Sequence, residues 1–277
     1  VLTTDETPLL RIRDATVRKG REHRIILDHL SLQVMPGQHT AILGPNGSGK
    51  SSLIKLITHE YRPMAEADGS PVVEIFGRRR WNVFELRRLM GIVSPEMQGL
   101  FSEREVPRPL RGLDVVVSGY FASQGVQMHH VVSPEMWQRA RAALAELGAG
   151  DLESKLLYEM STGEARRVLI ARALVSDPPA LLFDEPTGGL DMVARSAFLE
   201  SVRSLARDGK TVLMVTHRLE EIIPEIDHVV LLAGGQVQFA GPKVEALRDG
   251  ILSEVYGAPV HVQPLDGGYY TASVRTQ

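Results

Sequence analysis

Gly44-Pro45-Asn46-Gly47-Ser48-Gly49-Lys50-Ser51 fits the phosphate-binding pattern G-x-x-x-x-G-K-[ST]. Glycines at this spacing let the backbone curl so that successive N–H groups point at phosphate oxygens. Lys50 then reaches the β- and γ-phosphates, and the Ser51 hydroxyl is placed to ligate Mg²⁺. Ser52, the next residue, is counted with the nucleotide-binding group. A second candidate group closes an apolar run, Ala180-Leu181-Leu182-Phe183-Asp184-Glu185. Asp184, at the end of a strand, suits Mg²⁺ directly or through water. Glu185 suits polarising a water for attack on a γ-phosphate. Two adjacent acids after a strand also fit a plain surface turn. Their company with the phosphate loop is what favours chemistry.

The elements needed to position these groups are legible. Gln38 to Leu43 reads as a strand and Ser51 to Thr58 as an amphipathic helix, so the phosphates would meet a helix N-terminus. Leu9 to Val17 and Ile25 to Val34 alternate apolar and polar residues. They read as antiparallel strands joined by a charged turn near residues 19–22. Val72 to Phe76 is a further short strand. From about Asn82 to Leu157 apolar residues fall at helical spacing, as at Trp137, Ala140, Leu144 and Leu147, with prolines at 95, 107, 109 and 134. This predicts an inserted helical subdomain over 82–158. Gly163 to Ser176 and Asp191 to Arg207 read as helices. Ala180 to Phe183 and Thr211 to Thr216 read as buried strands. Val229 to Leu232 with Gln236 to Ala240 reads as a hairpin. Apolar strands alternating with helices predict an α/β core, a mostly parallel sheet covered on both faces, over 1–81 and 159–255. The residues from 256 to 277 show little periodicity and read as a tail.

Composition narrows the partners. The 277 residues are 43% hydrophobic and 23% charged, with a net charge of −3, so no general attraction to nucleic acid or anionic lipid is expected. Arg78-Arg79-Arg80 with Arg87 and Arg88 is too narrow a basic run for nucleic-acid binding and reads as a solvated face. The chain has no cysteine, which removes thiolate metal sites and thiol nucleophiles and fits a reducing compartment. No apolar run approaches the roughly 18 residues of a membrane span. The first residues lack a signal pattern.

Met160-Ser161-Thr162-Gly163-Glu164 and the helix that follows it resemble the L-S-G-G-Q signature of the ATP-binding-cassette (ABC) ATPases. The signature lies between the phosphate loop and the Asp-Glu strand, as in that family. Gly188-Gly189-Leu190-Asp191 resembles the family's D-loop, and His217 its switch histidine. The resemblance runs from about residue 9 to residue 250. It implies a P-loop nucleoside-triphosphatase core with an antiparallel N-terminal β subdomain and an inserted helical subdomain. It also implies ATP and Mg²⁺ as ligands. Two chains would close head to tail over two ATP molecules. Ser161 and Gly163 of one would face the γ-phosphate held by the other, Asp191 would couple the two sites, and His217 would contact the γ-phosphate.

Three departures from the family pattern stand out. The signature carries Thr162 for a glycine and Glu164 for glutamine, which places a carboxylate near the phosphate. The stretch Val17-Arg18-Lys19-Gly20 lacks the usual adenine-stacking aromatic, leaving Arg18 or His23 as planar substitutes. In Ser94-Pro95-Glu96-Met97-Gln98, either Glu96 or Gln98 could meet Mg²⁺ and the water. Gln98 is preferred, because a second carboxylate beside Glu185 would be electrostatically awkward.

The resemblance implies a transport ATPase on the cytoplasmic face of a membrane, bound to an integral permease whose helix sits near 106–124. The signature and the 93–98 loop look similar to a molybdenum-type transport subgroup. A soluble ABC ATPase acting on nucleic acid, ribosomes or protein assembly is the alternative. Lys50 and Ser161 lie too close in sequence for the long coiled coils of chromosome-type members, and translation-type members usually carry two cassettes. A nucleotide-binding module without turnover is a third reading, opposed by Glu185 and His217.

Overall fold

The computed structural model describes residues 7–20, 23–64, 72–101, 109–123, 125–127 and 129–274, apart from the side chains of Gln98 and Leu100. The charged turn at residues 21–22, the proline at 107, and residues 106–108 and 124 of the expected permease groove lie outside this set. So does the Gln98 side chain.

The chain divides into two compact units, one formed by 1–83 with 211–277 and the other by 84–210. The first unit opens with β1 (Leu10–Lys19) and β2 (Arg24–Val34), followed by β3 (Thr40–Leu43), α1 (Lys50–Ile57) and β4 (Val73–Ile75). Strands β2, β1 and β4 form an antiparallel sheet, the expected N-terminal β subdomain. Their apolar residues alternate as a one-sided sheet requires: Leu10, Ile12, Ala15 and Val17 are buried while Arg13, Asp14, Arg18 and Lys19 are exposed. The pairing slips near Asp14 and His29, both with left-handed backbone (φ 47° and 46°), and the His29 Nδ1–Asp14 Oδ1 contact of 2.7 Å closes the irregularity.

The second unit contains α2 (Val83–Leu89), β5 (Met90–Val93), α3 (Pro95–Leu100), α4 (Gly112–Val117), α5 (Pro134–Glu146), α6 (Thr162–Leu174), β6 (Ala180–Asp184) and α7 (Met192–Arg207). Strand β5 interrupts what the sequence presents as a run of helices. It pairs in parallel with β6, Met90 opposite Ala180 and Val93 opposite Phe183. All four of its residues are buried, and a short unbroken apolar run has no periodicity to separate strand from helix. Helix α5 begins at Ser133, whose hydroxyl accepts from the Met136 N–H, with Pro134 in the first turn where its missing N–H costs nothing.

The first unit resumes with β7 (Thr211–Thr216), β8 (His228–Ala233), β9 (Gln236–Pro242), α8 (Lys243–Ala246), α9 (Asp249–Tyr256), β10 (Val260–Leu265) and β11 (Tyr269–Val274). Strand β3 is parallel to both β7 and β8, and β9 returns antiparallel along β8. Strands β3 and β7 are buried at every residue, which explains their unbroken apolar runs. The residues after 256 depart from the expected tail, since β10 and β11 form an antiparallel hairpin. Among the described residues no helix is long and apolar enough to cross a membrane.

Candidate active site

In the first unit the register places two candidate groups. Leu43 lies opposite Thr216 on neighbouring parallel strands. The phosphate loop leaves the C-terminal end of β3 at Gly44, and His217 leaves β7 one residue after Thr216. Loops at the carboxyl ends of parallel strands are where α/β proteins bind ligands.

The phosphate loop is tightly constrained. A Cβ at Gly44 would lie 2.1 Å from the Leu232 carbonyl oxygen, so no side chain fits there. Gly49 caps α1 with φ 108°, a conformation that L side chains rarely adopt. The Ser48 N–H donates to Pro45 O at 3.2 Å, and the Gly235 N–H donates to Ser48 O at 2.9 Å. Lys50 is buried, and its ammonium donates to Gly44 O at 2.7 Å and Pro45 O at 3.0 Å. Asn46, Gly47 and Ser51 are exposed, while Pro45 and Ser52 are half-buried. The Ser48 hydroxyl is buried and has no hydrogen-bond partner among the described residues. A buried polar group of this kind calls for a ligand or water, which fits a bound anion.

Thr216 fixes the backbone around His217. Its hydroxyl donates to Glu221 Oε2 at 2.6 Å and accepts from the Arg218 N–H at 3.0 Å. His217 itself is half-buried.

In the second unit, β5 and β6 bring the acidic pair and the 94–98 segment, which forms Ser94 and the start of α3 rather than a loop, to neighbouring strand ends, as Val93 lies opposite Phe183. Asp184 and Glu185 are half-buried. Glu185 has φ 41°, left-handed backbone in a residue with a Cβ, followed by a turn in which the Gly188 N–H donates to Glu185 O at 3.2 Å. Such strain persists where the surroundings enforce it and is common at functional sites. Glu96 is exposed. Ser51 and Asp184 are hard oxygen donors of the kind Mg²⁺ takes, and Mg²⁺ at a triphosphate needs few protein ligands because phosphates and water supply the rest. The described residues hold no cluster of three or more His, Cys, Asp or Glu that could bind a metal by themselves.

The signature segment settles how Glu164 behaves. The Ser161 hydroxyl accepts from the Glu164 N–H at 3.2 Å, and Glu164 Oε2 accepts from the Ser161 N–H at 2.7 Å, a reciprocal cap on α6. Lys155 donates to both Glu164 oxygens at 2.9 Å. Lys155 and the Ser161 N–H hold the Glu164 carboxyl below its ordinary range. The carboxylate is therefore turned back onto its own helix and neutralised by a lysine. Ser161 is exposed and Gly163 half-buried, at a hollow of about 360 Å³ that Asp191 and Ala194 also line. Asp191 caps α7, its carboxylate accepting from the Ala194 N–H at 2.8 Å. Met192 and Val193 beside it are 75% and 77% exposed.

Sequence reasoning missed Arg172 of α6. Its guanidinium is buried, donating to Ser118 Oγ at 3.2 Å, Ser123 O at 3.1 Å and Met97 Sδ at 3.3 Å. Burial, with Arg87 nearby, pulls its pKa down to about 10. It ties the signature helix to α3, and an arginine within an apolar helical run gives no sign of this. The Glu164 cap, by contrast, follows the S-x-x-E pattern and could have been read from sequence.

Comparison with known proteins decides the family. The family described as "ABC transporter" matches residues 27–188, more than half of the chain. The chain belongs to the ABC transporter ATP-binding family. It is 33% identical to the uncharacterized ABC transporter ATP-binding protein YlmA of Bacillus subtilis, over 87% of this chain and 89% of that one. It is 32% identical to the hemin import ATP-binding protein HmuV of Agrobacterium fabrum, over 89% and 91%. Among solved structures, a nucleotide-free ATP-binding cassette from an ABC transporter superposes with a TM-score of 0.73 at 26% identity, covering 90% and 97%. The fold is thus the α/β P-loop architecture of ABC cassettes. As a member of that family, the protein is a transport ATPase that binds and hydrolyses ATP.

Proposed function

We propose that two copies of this chain close head to tail around two ATP molecules on the cytoplasmic face of a membrane, driving an integral permease. The proposed core comprises 1–81 and 159–255, and the segment 82–158 is the helical subdomain, with 106–124 near the permease. Residues 44–52 hold the triphosphate, and Lys50 supplies the cation. Glu185 takes the proton of the attacking water, and His217 contacts the γ-phosphate. Ser161 and Gly163 serve the γ-phosphate held by the other copy, with Asp191 at the seam between copies. Ser51, Asp184 and Gln98 would hold Mg²⁺, which supplies charge neutralisation on the β- and γ-phosphate oxygens.

The register of β3 and β7 carries the reading: it starts the phosphate loop and His217 from matching positions on neighbouring parallel strands. The exposed signature turn and the neighbouring apolar Met192 and Val193 support a second copy at that face. Affinity purification from solubilised native membranes tests the transport role. Stoichiometric recovery of an integral membrane protein is expected. Recovery of ribosomes or DNA instead would favour the soluble alternative.

A further inference from the structure

The hairpin β10–β11 is fixed by polar contacts more than by apolar burial, since Val260 is its one buried residue. On one side, Asp249 of α9 accepts from the Val262 N–H at 2.8 Å and meets His261 Nδ1 at 2.8 Å, while Ser253 Oγ accepts from the Val260 N–H at 2.9 Å. On the other side the hairpin touches the segment that follows His217. Thr271 Oγ1 of β11 donates to Glu220 Oε1 at 2.6 Å. The geometry points to this hairpin as a brace for the switch-histidine segment, with Thr271 and Glu220 as positioning residues for ATP turnover. The inference rests on the role proposed above for His217.

The brace is continuous along the segment. Glu220 and Glu221 share one 3-10 turn, Leu219–Glu221. Glu221 is 2% exposed and accepts from Thr216, whose oxygen also accepts from the Arg218 N–H, so one hydroxyl ties both chain neighbours of His217. Glu220, one residue away, is held from the hairpin. At the far end Lys243 donates to Pro224 O at 3.1 Å and stands 5.9 Å from the Tyr270 ring centre. At the hairpin tip, a Cβ on Gly268 would lie 3.4 Å from Pro224 Cβ, so the backbone passes close to that proline. The 216–224 segment is thus pinned at its start by Thr216, in its middle by Thr271 and at its end by Lys243. Loosening the middle pin widens the range of positions open to His217. It leaves the phosphate loop, which holds the nucleotide, untouched.

Thr271→Val removes the hydroxyl and nearly keeps the shape. The full-length variant is expected to lose about five-fold in kcat, the worth of one hydrogen bond, with KM for ATP unchanged. Thr271→Ser should restore the rate. In a His217→Ala background, Thr271→Val should have no additional effect, because the group it positions is gone. Glu220→Ala, which deletes the acceptor instead, gives the same split if Thr271→Val is unstable by thermal melting. Wild-type kcat in both variants overturns the brace. A slow His217→Ala enzyme that Thr271→Val slows further by the same factor overturns the brace alone. Full-rate turnover by His217→Ala overturns the histidine's role, and the brace falls with it.

Discussion

Replacing Glu185 with glutamine is expected to lower ATP hydrolysis by about 10²- to 10⁴-fold, the range for a positioned general base, while ATP still binds. Glutamine keeps the size and one oxygen but cannot take the proton of an attacking water. The strained backbone at Glu185 (φ 41°) fixes where that side chain starts, and the substitution leaves the backbone untouched. Because the chemical step is what fails, the variant should hold ATP and persist as a dimer by light scattering. Single-turnover hydrolysis with radiolabelled ATP measures the loss. Turnover at the wild-type rate would remove Glu185 from the mechanism.

Lys50→Ala should weaken ATP binding by about 10²-fold, because charge-assisted hydrogen bonds contribute roughly 1.5–3 kcal/mol and tenfold in affinity is about 1.4 kcal/mol. The ammonium is buried within the loop and already cross-braces it through the Gly44 and Pro45 carbonyls. Alanine removes both the brace and the charge that faces the phosphates. Titration calorimetry reads the affinity, and a thermal melt without nucleotide separates loss of the charge from collapse of the loop. Undiminished affinity would place the triphosphate elsewhere.

Much of this was legible because the decisive features are local. The phosphate loop declares itself through glycines that its backbone needs, one of them with no room for a Cβ at all. Strands β7 and β8 are six-residue runs rich in valine and leucine, each entered from a polar residue. Strand β5 was hidden because Met90-Gly91-Ile92-Val93 is short, fully buried and set among helices. The terminal hairpin was hidden for the opposite reason. Its strands are mostly exposed or half-buried and so lack an apolar rhythm, although Asp266-Gly267-Gly268 carries a turn signal of the kind that joins paired strands. The carboxylate at Glu164 looked like a disturbance to an anion site. The S-x-x-E spacing already marks it as part of the helix cap, and what the structure adds is Lys155, which neutralises the carboxylate from nine residues away.

The central claim is that each nucleotide pocket is completed by another copy of the chain, and the absence of native cysteine makes a direct test clean. Asn46→Cys and Thr162→Cys, each in a Glu185→Gln chain, would be mixed with ATP and Mg²⁺ and mildly oxidised. The account predicts a covalent dimer, formed only from the mixture and only with ATP, joining the phosphate loop of one copy to the signature of the other. An internal disulfide closing within a single chain that carries both cysteines, with no covalent dimer from the mixture, would contradict it.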